Sequence, residues 1–172
     1  MDQYFKIGKL AASFGLKGDL VLQHSLGTPP TTASLKVIFI EEKKGSFLPF
    51  FIESITVRTP TELLIRLEGI DSKELARKLT PREVWIPEKE FRKLAEPSAP
   101  ISLLGFSLID GKRNLGEIIE VIEQPHQLLC AIMIEGKEVL VPIHQESLKK
   151  IDAKQRKIHV ELPDGLLDIY LL

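Results

Sequence analysis

Short runs in which apolar residues alternate with polar ones, or cluster as β-branched and aromatic residues, recur along the chain and are broken by glycine and proline. A period of two marks strands rather than helices. In the first half the pattern predicts strands over 4–10, 18–24, 37–41, 47–57, 63–67 and 83–87, with Gly45, Pro60 and Gly69 as punctuation. One segment changes period. Leu75 and Leu79 stand four apart, Asp71 occupies an N-cap position with Glu74 three residues on, and Thr80-Pro81 supplies a stop. That is the signature of one short helix packing a single face on a sheet. Residues 88–94 read as a further helical turn. The aperiodic Ala95-Glu96-Pro97-Ser98-Ala99-Pro100 has the composition of a linker.

The second half repeats the strand pattern over 103–110, 115–123, 128–134, 138–142 and 157–162, with Gly111-Lys112 as a turn and Ile134-Glu135-Gly136-Lys137 as a hairpin signal. Residues 147–151 read as a short turn of helix. Strands at this spacing, with no helices to cross between them, predict a small antiparallel barrel or sandwich. The organisation expected is therefore a first domain over 1–94, a linker over 95–102 and a second domain over 103–172.

Composition narrows the picture. The 172 residues, 44% of them hydrophobic, suffice for one domain or two small ones with packed cores, which argues against disorder. A net charge of -1 argues against a generally basic nucleic-acid binder. The halves differ: residues 1–94 carry 15 Lys and Arg against 12 Asp and Glu, and residues 95–172 carry 8 against 12. Such asymmetry hints at an anionic partner for the first half and a basic one for the second. The single cysteine, Cys130, sits in an apolar run, as a buried structural thiol would, and excludes an internal disulfide. No apolar stretch nears the roughly 18 residues that span a bilayer, so a soluble, cytoplasmic protein is expected.

Candidate chemistry is sparse. Gly15-Leu16-Lys17-Gly18 holds an ammonium between two glycines, which suits either a plain hairpin or a turn that meets a phosphate. It lacks the Gly-Lys-Ser/Thr ending of a nucleotide-binding loop. His24, His126, His144 and His159 fall in separate segments and offer no metal-ligand spacing. His24, at a strand end, reads as a surface polar residue. His144, with Glu146 nearby, is either an acid/base group or a loop histidine; Asp164 and Asp168 read as turn and surface residues near the chain end. No nucleophile elbow, dinucleotide fingerprint or metal set appears, so no catalytic residue, metal or cofactor is predicted.

Taken in order, the segments resemble the bacterial RimM family of ribosome maturation factors. The match lies in Ile7-Gly8-Lys9 followed by Phe14-Gly15-Leu16-Lys17-Gly18-Asp19, in residues 71–79 followed by Val84-Trp85-Ile86-Pro87, and in Leu103-Leu104-Gly105-Phe106 with Leu115-Gly116-Glu117-Ile118. It ends with Leu140-Val141-Pro142-Ile143 and Leu162-Pro163-Asp164-Gly165-Leu166-Leu167-Asp168. The resemblance implies two small antiparallel β-barrels, the first akin to a translation-factor barrel and the second a PRC-barrel. It also implies a non-enzymatic, monomeric factor that binds the immature 30S subunit and helps its head mature, through small-subunit ribosomal protein 19 and the 3′ major domain of 16S rRNA. On this view Lys6, Lys9 and Lys17 are RNA contacts and Gly15 and Gly18 shape the turn. Leu103, Leu104, Gly105 and Phe106 line or position the protein-binding face. Three departures stand out: Phe14 replaces the family's usual histidine, Thr80-Pro81 replaces an Arg-Gly turn, and Pro97–Ser102 lacks the aromatic cluster common before the second domain. Outside the resemblance, two other classes remain open: an adaptor for a non-ribosomal partner, and a small enzyme using His144 or Asp168.

Overall fold

A computed structural model describes residues 3–171 and is mainly β. It divides into two compact units, Met1–Ser102 and Leu103–Leu172.

In the first unit six strands close a barrel: β1 (Tyr4–Phe14), β2 (Asp19–His24), β3 (Val37–Lys43), β4 (Ser46–Thr59), β5 (Glu62–Leu67) and β6 (Arg82–Pro87), in the order β1-β2-β5-β4-β3-β6. Alternation sets the core. On β5, Leu63, Ile65 and Leu67 are buried while Glu62, Leu64 and Arg66 lie between exposure and burial. Each fully buried aliphatic side chain contributes about 1.5–3 kcal/mol.

Strand β1 runs four residues further than its alternation predicts, because two irregularities in its pairing, between Lys6 and Gly8 and between Leu10 and Ala12, shift the parity. Its buried positions accordingly run Phe5, Ile7 and then Leu10, a step of three. Gly8 permits the close pass at this bend: a Cβ there would overlap the Gln23 carbonyl and lie 2.9 Å from the His24 Cα. β3 meets β6 at a single ladder position, Phe39 opposite Trp85.

Two helices accompany the barrel, the second over the residues read as a further helical turn. α1 (Lys73–Lys78) is capped by Ser72 and not by Asp71: the Ser72 hydroxyl accepts from the Leu75 N–H at 3.2 Å. Glu74 therefore lies in the first turn, without the reciprocal spacing of a capping box. α2 (Glu88–Leu94) buries Phe91 edge-on against Phe5, 5.0 Å between ring centroids, with Arg92 over both rings. The segment read as a linker is tied to this unit. The Glu96 N–H donates to the Leu26 carbonyl at 2.8 Å, the Thr28 hydroxyl to Glu96 at 2.8 Å, and Arg92 to the Ser102 carbonyl at 3.0 Å.

The second unit holds β7 (Ser107–Asp110), β8 (Arg113–Glu117), β9 (Glu120–Gln124), β10 (Gln127–Ile134), β11 (Lys137–Ile143), β12 (Leu148–Asp152) and β13 (Lys157–Val160), ending in the single turn α3 (Asp168–Leu171). They form a three-stranded sheet, β11-β10-β9, and a four-stranded one, β12-β13-β7-β8. The strand predicted over 115–123 breaks at Ile118-Ile119 and serves both sheets: the Ile118 N–H donates to Phe106, the Ile119 N–H to Ala131. The β10–β11 hairpin turns at Glu135 and Gly136, both with positive φ (50° and 77°), the pairing that a two-residue hairpin favours. Residues 147–151, expected as helix, lie mostly on strand β12. Ser147 locks the preceding turn by bonding the His144 backbone, and Leu148 then pairs with Val160. β13 pairs with β7 in parallel, so the unit is not wholly antiparallel.

Candidate functional site

The ladder between β1 and β2 ends at Phe14 opposite Asp19, and residues 15–18 make the turn between them. Gly15 and Gly18 have φ of +70° and +92°, a region costly for residues with a Cβ. Gly18 is also buried: a Cβ there would overlap the Ile70 carbonyl oxygen and lie 2.9 Å from the Ser72 nitrogen. The turn's base is thus seated against the chain that enters α1, while Gly15 faces open space.

The tip projects Leu16, 80% exposed, and the exposed Lys17, with Phe14 beside them at 47%. The Arg58 guanidinium lies over the Phe14 ring, 5.1 Å from its centroid. The nearby carboxylate of Asp19 is held by Arg66 at 2.8 Å, which keeps that guanidinium firmly charged and leaves no free anion of its own. Among the described residues no salt bridge engages Lys9, Lys17 or Arg58. The tip therefore offers apolar surface beside cations outside any salt bridge, a combination that suits an anionic partner with a flat apolar part.

The other candidates fall elsewhere. Lys9 is exposed on β1, with Gln23 and Glu83 as ladder partners. Lys6 is half-buried and bonds Glu83 at 3.3 Å, so its ammonium turns toward its own sheet. Leu103, Leu104 and Phe106 are buried at 9%, 3% and 7%, which makes them core rather than contact surface. Gly105, at φ +81°, donates to the Ile118 carbonyl at 2.8 Å and fixes the path of that segment. The large apolar side chains that the second unit exposes within its sheets and their connection are Ile119, Met133 and Ile151. Sequence alternation could not separate them from core positions.

His24 corrects the sequence reading. It is buried, accepts from the Leu26 N–H through Nδ1 at 3.2 Å, and burial pushes its pKa below the usual 6.5. His144 serves the backbone turn with Ser147. Cys130 is buried, and desolvation pushes its thiol up to about 12. Among the described residues no three His, Cys, Asp or Glu side chains gather as a metal site, and no helix is long and apolar enough to cross a membrane. A cleft of about 430 Å³ opens beside the narrow β3–β6 junction, lined by Leu35, Val37, Phe39 and Pro87 with Ser34, Lys36 and Glu90. The signal that sequence reasoning passed over was local: two large apolar residues, Phe14 and Leu16, at a glycine-bounded turn where polar residues are the rule.

Comparison with known proteins agrees with this architecture. Residues 5–91 match the RimM N-terminal domain and residues 100–166 the RimM PRC barrel domain. A protein named ribosome maturation factor RimM from Bacteroides thetaiotaomicron is 37% identical over 98% of this chain and 94% of its own length. Another of that name from Phocaeicola vulgatus is 35% identical over 96% of this chain and 98% of its own. A crystal structure described as a putative 16S ribosomal RNA processing protein RimM from Pseudomonas aeruginosa aligns with 94% of this chain and 98% of that one, at 22% identity and a TM-score of 0.42. With both domain types present in order and full-length relatives above 30% identity, the chain belongs to the RimM family.

Proposed function

We propose that this protein is a ribosome maturation factor that binds the immature 30S subunit and assists assembly of its head without covalent chemistry. The observation that carries the reading is the full-length match to proteins named ribosome maturation factor, through both of their domain types. In this reading the first unit meets the 3′ major domain of 16S rRNA. Lys17 at the β1–β2 turn is its leading phosphate contact, Lys9 extends the cationic track, and Gly15 and Gly18 hold the turn. Lys6 joins only by giving up Glu83, a surface pair worth about 0–1 kcal/mol.

The second unit, acidic in balance, meets small-subunit ribosomal protein 19. There Leu103, Leu104, Gly105 and Phe106 position the face from within, and exposed residues such as Ile119 and Met133 are the side chains that can touch a partner. The protein works as a cytoplasmic monomer.

Sedimentation of the tagged chain with ribosomal particles at low salt tests the reading. It is expected in the 30S and pre-30S fractions, and its absence from both would overturn the proposal. Lys17→Glu is expected to weaken that association far more than Lys43→Glu; equal effects would remove the turn from the interface.

A further inference from the structure

The β1–β2 turn carries more than a phosphate contact. We propose that it holds an unpaired nucleotide of RNA, the base laid against Phe14 and Leu16 and the phosphate at Lys17. This rests on the rRNA reading above and specifies its partner as single-stranded rather than duplex.

Phe14 keeps 47% of its surface open although Arg58 lies over the ring, so an aromatic surface remains available beside a cation. Leu16, at 80%, is the most exposed large apolar side chain among the described residues and sits next to Lys17. Single exposed leucines are ordinary, but an aromatic ring, a leucine and a lysine at one glycine-bounded turn, with Arg58 of β4 over the ring, make a composite surface. Unpaired bases have flat π faces that stack on aromatic rings, and guanidinium groups add to that stacking.

A duplex presents only phosphates and groove edges to such a tip, so it would leave Phe14 and Leu16 against a charged backbone with no apolar partner. A purely apolar protein partner would use the leucine and ring but would desolvate Lys17 and Arg58 without compensation. Asp19, at the base of the turn, is bound to Arg66 at 2.8 Å, while among the described residues no salt bridge engages Lys17 or Arg58. The seat of Gly18 against residues 70–72 holds the turn in place before binding, which lowers the ordering cost.

The test uses the full chain and fluorescence anisotropy with a labelled uridine-rich single strand and a duplex of the same length, across a salt series. The wild type is expected to prefer the single strand. Phe14→Ala is expected to weaken single-strand binding about 5- to 150-fold, the range for loss of one stacked base, while leaving the salt slope unchanged. Lys17→Gln is expected to weaken both RNAs and to reduce the salt slope by about 0.7 on the single strand. An unchanged urea midpoint by Trp85 fluorescence shows that Phe14→Ala is folded. Equal affinity for strand and duplex, or a Phe14→Ala protein that binds the strand as the wild type does, would overturn the inference. A wild type that ignores both RNAs yet sediments with pre-30S particles would also overturn it, reassigning the tip to a protein contact and leaving the assembly reading intact. Absence from the particles as well would bring down that reading too.

Discussion

Gly18 and Gly15 share a turn and a positive φ but not an environment, so the same substitution at each separates backbone strain from steric conflict. Placing alanine in the left-handed region costs about 1–2 kcal/mol, offset by about 0.4–1 kcal/mol from the reduced freedom of the unfolded chain. For Gly15→Ala that is the whole effect, about 1 kcal/mol, since no atom lies within 4 Å of the new methyl. Gly18→Ala adds the overlap with the Ile70 carbonyl and the 2.9 Å approach to the Ser72 nitrogen, both backbone atoms. Relieving them displaces the chain entering α1, at about 1–3 kcal/mol for overpacking, for a total of about 3 kcal/mol. Trp85 is the sole tryptophan and lies on β6, so its fluorescence follows the first unit alone. At a urea slope of about 2 kcal/mol per M, the midpoint is expected to fall by about 0.5 M for Gly15→Ala and about 1.5 M for Gly18→Ala. Equal shifts would refute the seat assigned to Gly18.

Three further outcomes follow from the same geometry. Ser72→Ala is expected to cost the first unit about 1 kcal/mol and Asp71→Ala less than about 0.5; the reverse order would return the cap to Asp71. Burial holds the His24 pKa below 6.5, so the unfolded chain binds that proton more readily; the contribution is intact above pH 6.5 and is lost as pH falls below it. First-unit stability should therefore drop on acidification, and His24→Gln, which keeps an acceptor for the Leu26 N–H, should flatten the slope; parallel pH profiles for the two proteins would contradict this. With its thiol pushed up to about 12, Cys130 is expected to resist iodoacetamide at pH 8 in the native chain and to react once unfolded in urea, so a native rate matching the unfolded one would be decisive against its burial.

The parts of the fold that were legible are those with local causes. Leu63, Ile65 and Leu67 alternate cleanly on β5, and Glu135-Gly136 announces its hairpin through residues that accept positive φ. What escaped depends on partners distant in the chain. The parity shifts of β1 arise from how Gly8 passes Gln23, which alternation within residues 4–10 does not encode. Residues 148–152 carry a helix-compatible Leu-Lys-Lys sequence and become a strand because residues 157–160 lie alongside. At the candidate site, the Gly-Leu-Lys-Gly turn was visible from residue types alone. The contribution of Arg58 was not, since only folding brings it over Phe14. Likewise Leu103, Leu104 and Phe106 are apolar residues whose burial cannot be told from exposure without the sheet that covers them.

The parallel pairing of β7 with β13 has a consequence for the order in which the molecule is made. Ser107 meets Lys157 and Asp110 meets Val160, so β7 waits for fifty further residues before its second neighbour exists. The first barrel has all its strands once Pro87 has been synthesised. Until Val160 emerges, β7 has only β8 beside it, and its other edge is an open row of backbone donors and acceptors. Distant pairings of this kind also form slowly. A nascent chain interrupted between Glu117 and Lys157 thus carries a barrel with all its strands and a second sheet whose inner strand is still seeking a partner.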